Sequence, residues 1–334
     1  MRAFYGEAGQ VVLRDVAEPS AGPGELLVRV RAAGLNAADR YVLAGTHVAG
    51  PSVRAPEVPD VPAPTPLGSE AAGEVLAVGD GITVWKPGDR VMGTGAGAFA
   101  ELTTLRDGMC FRVPANLSWT EAAAVPITFV SAHDALTLAG GLAPGATVLI
   151  NAASSGVGVA ALQLARLLFA QTVVASSTSQ AKLDRLGAGG LPFDAGVVAG
   201  QSDYVERCLA ATDGHGFDVI LDSVGASALR DNVATAAIGG RIVSIGRIGG
   251  GHGEVNLDEL SRKRVSLVGT TFRSRTLAML TAAYAAAGAV MLPALADGRI
   301  RPVVDRVFPF ADAAEAERYL LSAAHVGKVV LDVS

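Results

Sequence analysis

Two short runs of this chain hold groups suited to gripping an anion. Residues 148–168, VLINAASSGVGVAALQLARLL, pass from an apolar stretch through a turn of small residues into a helical pattern. A dinucleotide fingerprint, G-x-G-x-x-G, laid on this run spans 153–158, with Ala153 and Ser155 in place of its first two glycines. The fingerprint serves a sharp turn, close approach of backbone to a pyrophosphate, and tight packing of helix on strand. Gly156 and Gly158 remain for the turn and the packing, Ala153 is the next smallest choice, and the Ser155 hydroxyl can donate to a phosphate oxygen. The helix that follows places Val157, Ala161, Leu164 and Leu168 on one face, and its first amides, at the positive end of the dipole, suit an anion. A small-residue turn of this kind also occurs for packing alone.

The second run is VVASSTSQAKLDRL, residues 173–186. An NAD site usually carries Asp or Glu at this point to hold the ribose 2′-hydroxyl. Here stand Ser176, Ser177, Thr178 and Ser179, with Lys182 one turn later. Hydroxyls with a cation favour a 2′-phosphate, and so NADPH over NADH; the plainer alternative is a solvated serine loop beside a surface lysine.

The elements that must position these runs follow from the hydrophobic rhythm. Up to about residue 119 the pattern is β-rich: ELLVRVRAAGL and EAAGEVLAVGDGI alternate in part, and KPGDRVMG supplies a turn and a strand. Six prolines between residues 51 and 66 make the 47–66 run a loop rather than a helix or central strand. From about Thr120 the rhythm becomes helical, with Ser118 and Glu121 spaced as a capping box. Strands and helices then alternate through ATVLIN, TVVASS, AGVV, FDVILDSVG, RIVSIG and VSLVG. Near-continuous apolar strands interleaved with helices predict a six-stranded parallel sheet covered on both faces, a dinucleotide-binding domain. The last 60 residues return to helices and two short strands.

Composition bounds the rest. The chain has 334 residues, half of them hydrophobic and 18% charged, with a formal net charge of -5 and no basic stripe suited to nucleic acid. Its 40 glycines lie scattered at turns. Two cysteines, Cys110 and Cys208, are too few for a disulfide framework or a multi-cysteine zinc site. The first residues lack an apolar stretch of signal-peptide length, and no uninterrupted apolar run approaches the ~18 residues that span a bilayer. A cytoplasmic protein is expected.

Taken in order and spacing, GPGELLVRVRAAGLNAADRYVLAG, LGSEAAGEVLAVGDGI, WKPGDRVMG, AAAVPITFVSAHDAL, AASSGVG, DSVG, GGRIVSIG and HVGKVVL resemble the zinc-independent quinone oxidoreductases of the medium-chain dehydrogenase/reductase superfamily. The resemblance runs from end to end. It implies an α/β fold with a GroES-like β-rich catalytic domain, residues 1–119 plus 272–334, and an inserted Rossmann domain, residues 120–271, usually in a homodimer. Zinc members of the superfamily bind catalytic metal through Cys and a His-Glu pair; this chain has Asn36 at the Cys position and Ser69-Glu70 at the pair, a poor set for zinc. The implied chemistry is metal-free hydride transfer from NADPH to a quinone or another α,β-unsaturated carbonyl. Alternatives within the same fold are an enoyl-thioester reductase of fatty-acid or polyketide assembly and an NADPH-binding redox sensor with little catalysis.

By the same resemblance Asn36 and Tyr41 orient the substrate, with Tyr41 a proton donor. Packing for Tyr41, and satisfaction of backbone groups by Asn36, are the alternative roles. Asp39, in the same loop, is expected to make a structural hydrogen bond. The implied cofactor shell is Ser131, Ser155, Gly156, Val157, Ser176 and Lys182, with Gly246, Arg247 and Phe272 flanking the nicotinamide. A tyrosine that relatives often carry after the third strand is replaced here by Ala199 or Gly200.

Overall fold

The computed structural model describes residues 1–43 and 64–334, so the proline-rich run expected at 47–66 lies outside the described residues up to position 63. Those described form two units, Met1–Val130 with Phe272–Ser334, and Ser131–Thr271. The division falls at 130/131, where the sequence suggested 119/120. The change to helical rhythm at Thr120 marks a helix that still belongs to the first unit. This helix, Trp119–Ala123, carries the capping box of Ser118 and Glu121 and packs on the strands Glu25–Gly34 and Glu70–Val78.

In the second unit six parallel strands run in the spatial order Ala195–Val198, Thr172–Ser177, Thr147–Ile150, Phe217–Asp222, Ala236–Ser244, Ser266–Gly269. Val148, Leu149 and Ile150 are buried, as a strand with helices on both faces requires. The strand order reverses between Thr147–Ile150 and Phe217–Asp222, and open α/β sheets bind ligands beyond the carboxyl ends of strands at such a point. Asn151 and Ser223 leave the sheet there. The core packs Leu149, Val174, Phe217, Ile220 and Ile242 against Tyr204, Cys208 and Val233 of the covering helices.

In the first unit the chain ends close a sheet that its beginning opened. The order is Val304–Pro309, Lys328–Asp332, Glu25–Gly34, Glu70–Val78, Arg90–Thr94, Cys110–Arg112, and Leu102–Arg106 also pairs with Glu25–Gly34. Register shifts at Leu27/Val28 and Val30/Ala32 bend the long central strand. Thr65–Pro66 adds to a small sheet with Arg2–Glu7 and Gln10–Asp15.

Among the described helices, Leu277–Ala296 stands apart in length and composition. Its 20 residues carry no charge and have a mean hydropathy of 1.7, long and apolar enough by length and composition to cross a bilayer. Thr281, Tyr284, Gly288 and Pro293 break the run, which hid it from a search for uninterrupted apolar residues. Its inner face holds Tyr284, which stacks on Phe111 at 5.5 Å between centroids and lies 2.9 Å from Thr94 Oγ1 through its hydroxyl.

Candidate functional site

The turn of the second unit is built from backbone. Ala152 adopts φ 51°, the left-handed region that disfavours a Cβ, and Ala153 is fully buried with its amide donating to Ser176 O at 2.9 Å. Ser155 caps the helix Gly156–Leu167, its Oγ accepting from Gly158 N at 3.0 Å. The Gly156 and Val157 amides, like those of any first helical turn, lack an intrahelical acceptor. A Cβ on Gly158 would lie 2.4 Å from Ala152 O and 2.7 Å from Ala153 Cα, so helix and turn meet there without room for a methyl group. Capped helix start, two orphan amides and small residues fit the diphosphate of a dinucleotide.

The serines at the end of the next strand divide between interior and surface. Ser176 is 1% exposed, with its Oγ 3.1 Å from Tyr204 Oη; that same Oη is 3.2 Å from Asn151 Oδ1, and Asn151 Nδ2 donates to Asn232 Oδ1 at 2.7 Å. Ser177 is buried too, its Oγ 3.3 Å from Ser154 Oγ. Thr178 is exposed, Ser179 caps the helix Gln180–Ala188, and Lys182 is half-buried on its first turn. Desolvation, with Arg185 nearby, lowers the Lys182 ammonium pKa. The polar groups left exposed or half-buried at this strand end are Thr178, Ser179 and Lys182, while Ser176 joins an internal network. Sequence reasoning missed Tyr204, which follows the third strand four residues after Gly200; burial pushes its phenol pKa up.

Across the switch point Asp222 accepts from Val224 N at 2.8 Å and Gly225 N at 2.9 Å, fixing a turn in which Gly225 takes φ 86°. A Cβ on Gly246 would lie 2.6 Å from Ser223 O, so glycine lets the two loops touch. Arg247 beside it is exposed, and Ser131 is half-buried on the helix Pro126–Asp134.

In the first unit, Asn36, Asp39, Ser69 and Glu70 converge on a residue from the far end of the chain. Lys328, 4% exposed in a central strand, donates from Nζ to Glu70 Oε1 at 2.6 Å, to Asn36 Oδ1 at 2.9 Å and to Leu35 O. Asn36 Nδ2 donates to Glu70 Oε1 at 2.9 Å and to Gly34 O at 3.2 Å, while Ile127 N donates to Glu70 Oε2 at 2.7 Å. The carboxylate that would face a metal is thus neutralised by an ammonium and saturated by amides. An amide and a hydroxyl complete the set, and none of these is a good zinc ligand. Among the described residues no group of three or more His, Cys, Asp or Glu is placed to hold a metal ion.

Asp39 accepts from Asn36 N at 2.8 Å and Ser69 Oγ at 3.2 Å, the structural bond expected of it, and burial pushes its carboxyl up to about 6. Tyr41, on the short helix Asp39–Leu43, accepts from Arg40 Nη2 at 2.7 Å. Phe272 is half-buried in the same unit with the Arg275 guanidinium 4.5 Å over its ring. Asn36, Tyr41 and Phe272 therefore belong to the first unit, and Ser131, Ser155, Gly156, Val157, Ser176, Lys182, Gly246 and Arg247 to the second. Lys328 was missed, although a lone lysine inside the apolar strand VGKVVL signals a buried cation that needs a carboxylate.

Comparison with known proteins adds the family. Residues 22–115 match the alcohol dehydrogenase GroES-like domain, and 193–331 the zinc-binding dehydrogenase domain. The chain is 32% identical over 321 residues to polyketide synthase GfsB of Streptomyces halstedii, covering 93% of this chain but only 5% of that much longer protein. Among solved structures, an NAD-dependent alcohol dehydrogenase superposes with a TM-score of 0.86 at 31% identity, covering 100% of both chains. The quinone oxidoreductase of Thermus thermophilus, solved also with NADPH, gives 0.82 at 30% identity, again covering 100% of both.

Proposed function

We propose a reaction from one premise: the chain belongs to the medium-chain dehydrogenase/reductase superfamily, in its zinc-independent branch, and is an oxidoreductase using a nicotinamide cofactor. The reaction is the NADPH-dependent reduction of a quinone or another α,β-unsaturated carbonyl. The observation that carries it is Lys328 on Glu70. With that carboxylate committed and Asn36 and Ser69 beside it, the site offers no Lewis acid to polarise a simple carbonyl. Electrophiles that accept hydride without such help remain.

The cofactor, when bound, supplies the hydride. The Gly156 and Val157 amides and the Ser155 hydroxyl would hold its diphosphate, and Thr178, Ser179 and Lys182 the 2′-phosphate. Reduction of a quinone to hydroquinone consumes one hydride and one proton. Tyr41 is the proton donor in this reading: its oxygen accepts from Arg40 while its O–H donates to the substrate oxygen or carbon. The Lys328–Glu70–Asn36 network fixes the Asn36 amide, so what it turns toward a substrate is preorganised.

Steady-state NADPH oxidation with 1,4-benzoquinone and 9,10-phenanthrenequinone tests the reading, and no turnover with either sinks it. For the cofactor, Lys182→Ala is expected to weaken NADPH at least about tenfold, a lost charge-assisted contact, with much less effect on NADH; equal loss on both removes the 2′-phosphate assignment. The likeness to a polyketide synthase favours a second reading, reduction of an enoyl thioester. Turnover of crotonyl-CoA with none of either quinone would replace the first reading by it.

A further inference from the structure

Where the turn at residues 152–155 leaves the sheet, the second unit buries a chain of polar side chains at the ends of otherwise apolar strands. Asn151, Ser176, Tyr204, Asp222 and Asn232 are all buried. Tyr204 opens the helix Tyr204–Ala210, which follows the strand Ala195–Val198, and Asn232 lies on the helix Leu229–Thr235, which follows Phe217–Asp222. The chemistry of the members sets the direction of the chain. A carbonyl oxygen only accepts and a phenol has a single proton. Tyr204 therefore donates to Asn151 Oδ1 at 3.2 Å, and its oxygen takes the proton of the Ser176 hydroxyl at 3.1 Å. Asn151 Nδ2 in turn donates to Asn232 Oδ1 at 2.7 Å.

The same residues bracket Ala152. A residue with a Cβ keeps a left-handed φ of 51° only where its surroundings over-determine it. On one side Asn151 is held by Tyr204 through its side chain and by Leu221 O, 3.0 Å away, through its backbone amide. On the other side Ala153 N donates to Ser176 O at 2.9 Å, and the Ser176 hydroxyl reaches back to Tyr204. Tyr204 thus closes a ring of contacts around the strained residue. Phenylalanine would fill the same space with no polar group to desolvate, so what the hydroxyl adds is fixed geometry. Asp222 extends the tie to the next strand: burial raises its pKa, opposed by the Gly225 and Val224 amides and then by Asn232 and Asn151.

We infer that Tyr204 is a positioning residue for the cofactor: its hydroxyl, acting through Asn151 and Ser176, holds Ala152 left-handed and so keeps the Gly156 and Val157 amides aligned on the diphosphate. This rests on the reading of the turn as the diphosphate site.

The test uses the full chain and a double-mutant cycle. Tyr204→Phe is expected to weaken NADPH and NADH by the same factor, about fivefold to tenfold, the scale of one net hydrogen bond. Fluorescence titration well below Tm reads both. Calorimetry with 2′-AMP, which has no diphosphate, should give the same affinity in both proteins. Ala152→Gly removes the need for the ring of contacts, because glycine takes a positive φ freely. In that background Tyr204→Phe should weaken the dinucleotides by less than about twofold, a coupling that general loosening of the unit would not produce. Ser176→Ala breaks the same chain at another link. It should reproduce the loss and its dependence on residue 152, and it serves in place of Tyr204→Phe should that variant not fold. Native NADPH affinity in Tyr204→Phe overturns the inference, as do losses that add across the cycle or a loss that falls equally on 2′-AMP. Failure of the unaltered chain to bind either dinucleotide sinks the diphosphate reading and the inference with it. Binding of both with indifference to Tyr204→Phe sinks the inference alone.

Discussion

At the residue scale the first unit stores an unusual carboxyl. Glu317, on the helix Ala313–Leu321, is 4% exposed, and neither of its oxygens has a hydrogen-bond donor. Burial, and secondarily the negative charge of Asp39, push its pKa up to about 8. The helix packs on the strands Lys328–Asp332, Gln10–Asp15 and Val304–Pro309. Their titratable or charged groups are Lys328, Asp332, Arg14, Asp15, Asp305 and Arg306, and the helix itself adds Glu315 and Arg318. A carboxyl whose pKa is higher folded than unfolded holds its proton longer in the native state. Its stabilising effect is full below the unfolded value near 4.5 and is lost as pH rises through about 8. Asp39 adds the same sign between 3.8 and about 6. The melting temperature should therefore fall from pH 5 to pH 8 by about 2 °C per pH unit, the effect of one proton in a protein of this size. Glu317→Gln should remove most of that slope above pH 6 and raise Tm at pH 8. An unchanged slope in the variant would show that the proton sits elsewhere.

At the scale of elements, the strand–turn–helix around Ala152 carries opposed predictions. Ala152 holds a left-handed φ with a Cβ, so Ala152→Gly should raise stability by about 1 kcal/mol, the cost of that conformation for an L-residue. Gly158→Ala puts a methyl 2.4 Å from a carbonyl oxygen and must lift the helix start off the turn. Its cofactor affinity, measured by fluorescence titration, should fall at least about tenfold, the equivalent of one lost contact; native affinity would mean the helix start does not touch the diphosphate. The six strands and their helices were legible here because apolar runs and turn residues report local geometry. The glycine substitutions were legible, but the left-handed residue was not: it is Ala152, one position before the fingerprint begins. Which serine faces out was not legible either. Ser176 and Ser177 lie in a strand buried on both faces, where alternation predicts no outer side. Only contact with Tyr204 and Ser154 decides it.

For the whole molecule, the first unit depends on residues that the chain delivers last. Glu70 and Lys328 stand 258 positions apart, and the strand Lys328–Asp332 lies between Val304–Pro309 and Glu25–Gly34. Local pattern carries no record of such a pairing, so the interrupted first unit was readable only through family resemblance. The buried pair is also where damage should be greatest. Removing one partner leaves an uncompensated charge inside the protein and costs about 3–5 kcal/mol, whereas removing both costs much less. Lys328→Met should therefore destabilise strongly, and Glu70→Gln combined with Lys328→Met should recover much of the loss. Each unit has its own core, one around Phe4, Phe99 and Phe308 and the other around Leu149, Phe217 and Ile220. Hydrogen exchange should consequently place the effect of Lys328→Met on amides of Glu25–Gly34, Glu70–Val78 and Lys328–Asp332, leaving Thr147–Ile150 and Phe217–Asp222 near native protection. Equal loss of protection in both sets would mean that the two units unfold as one.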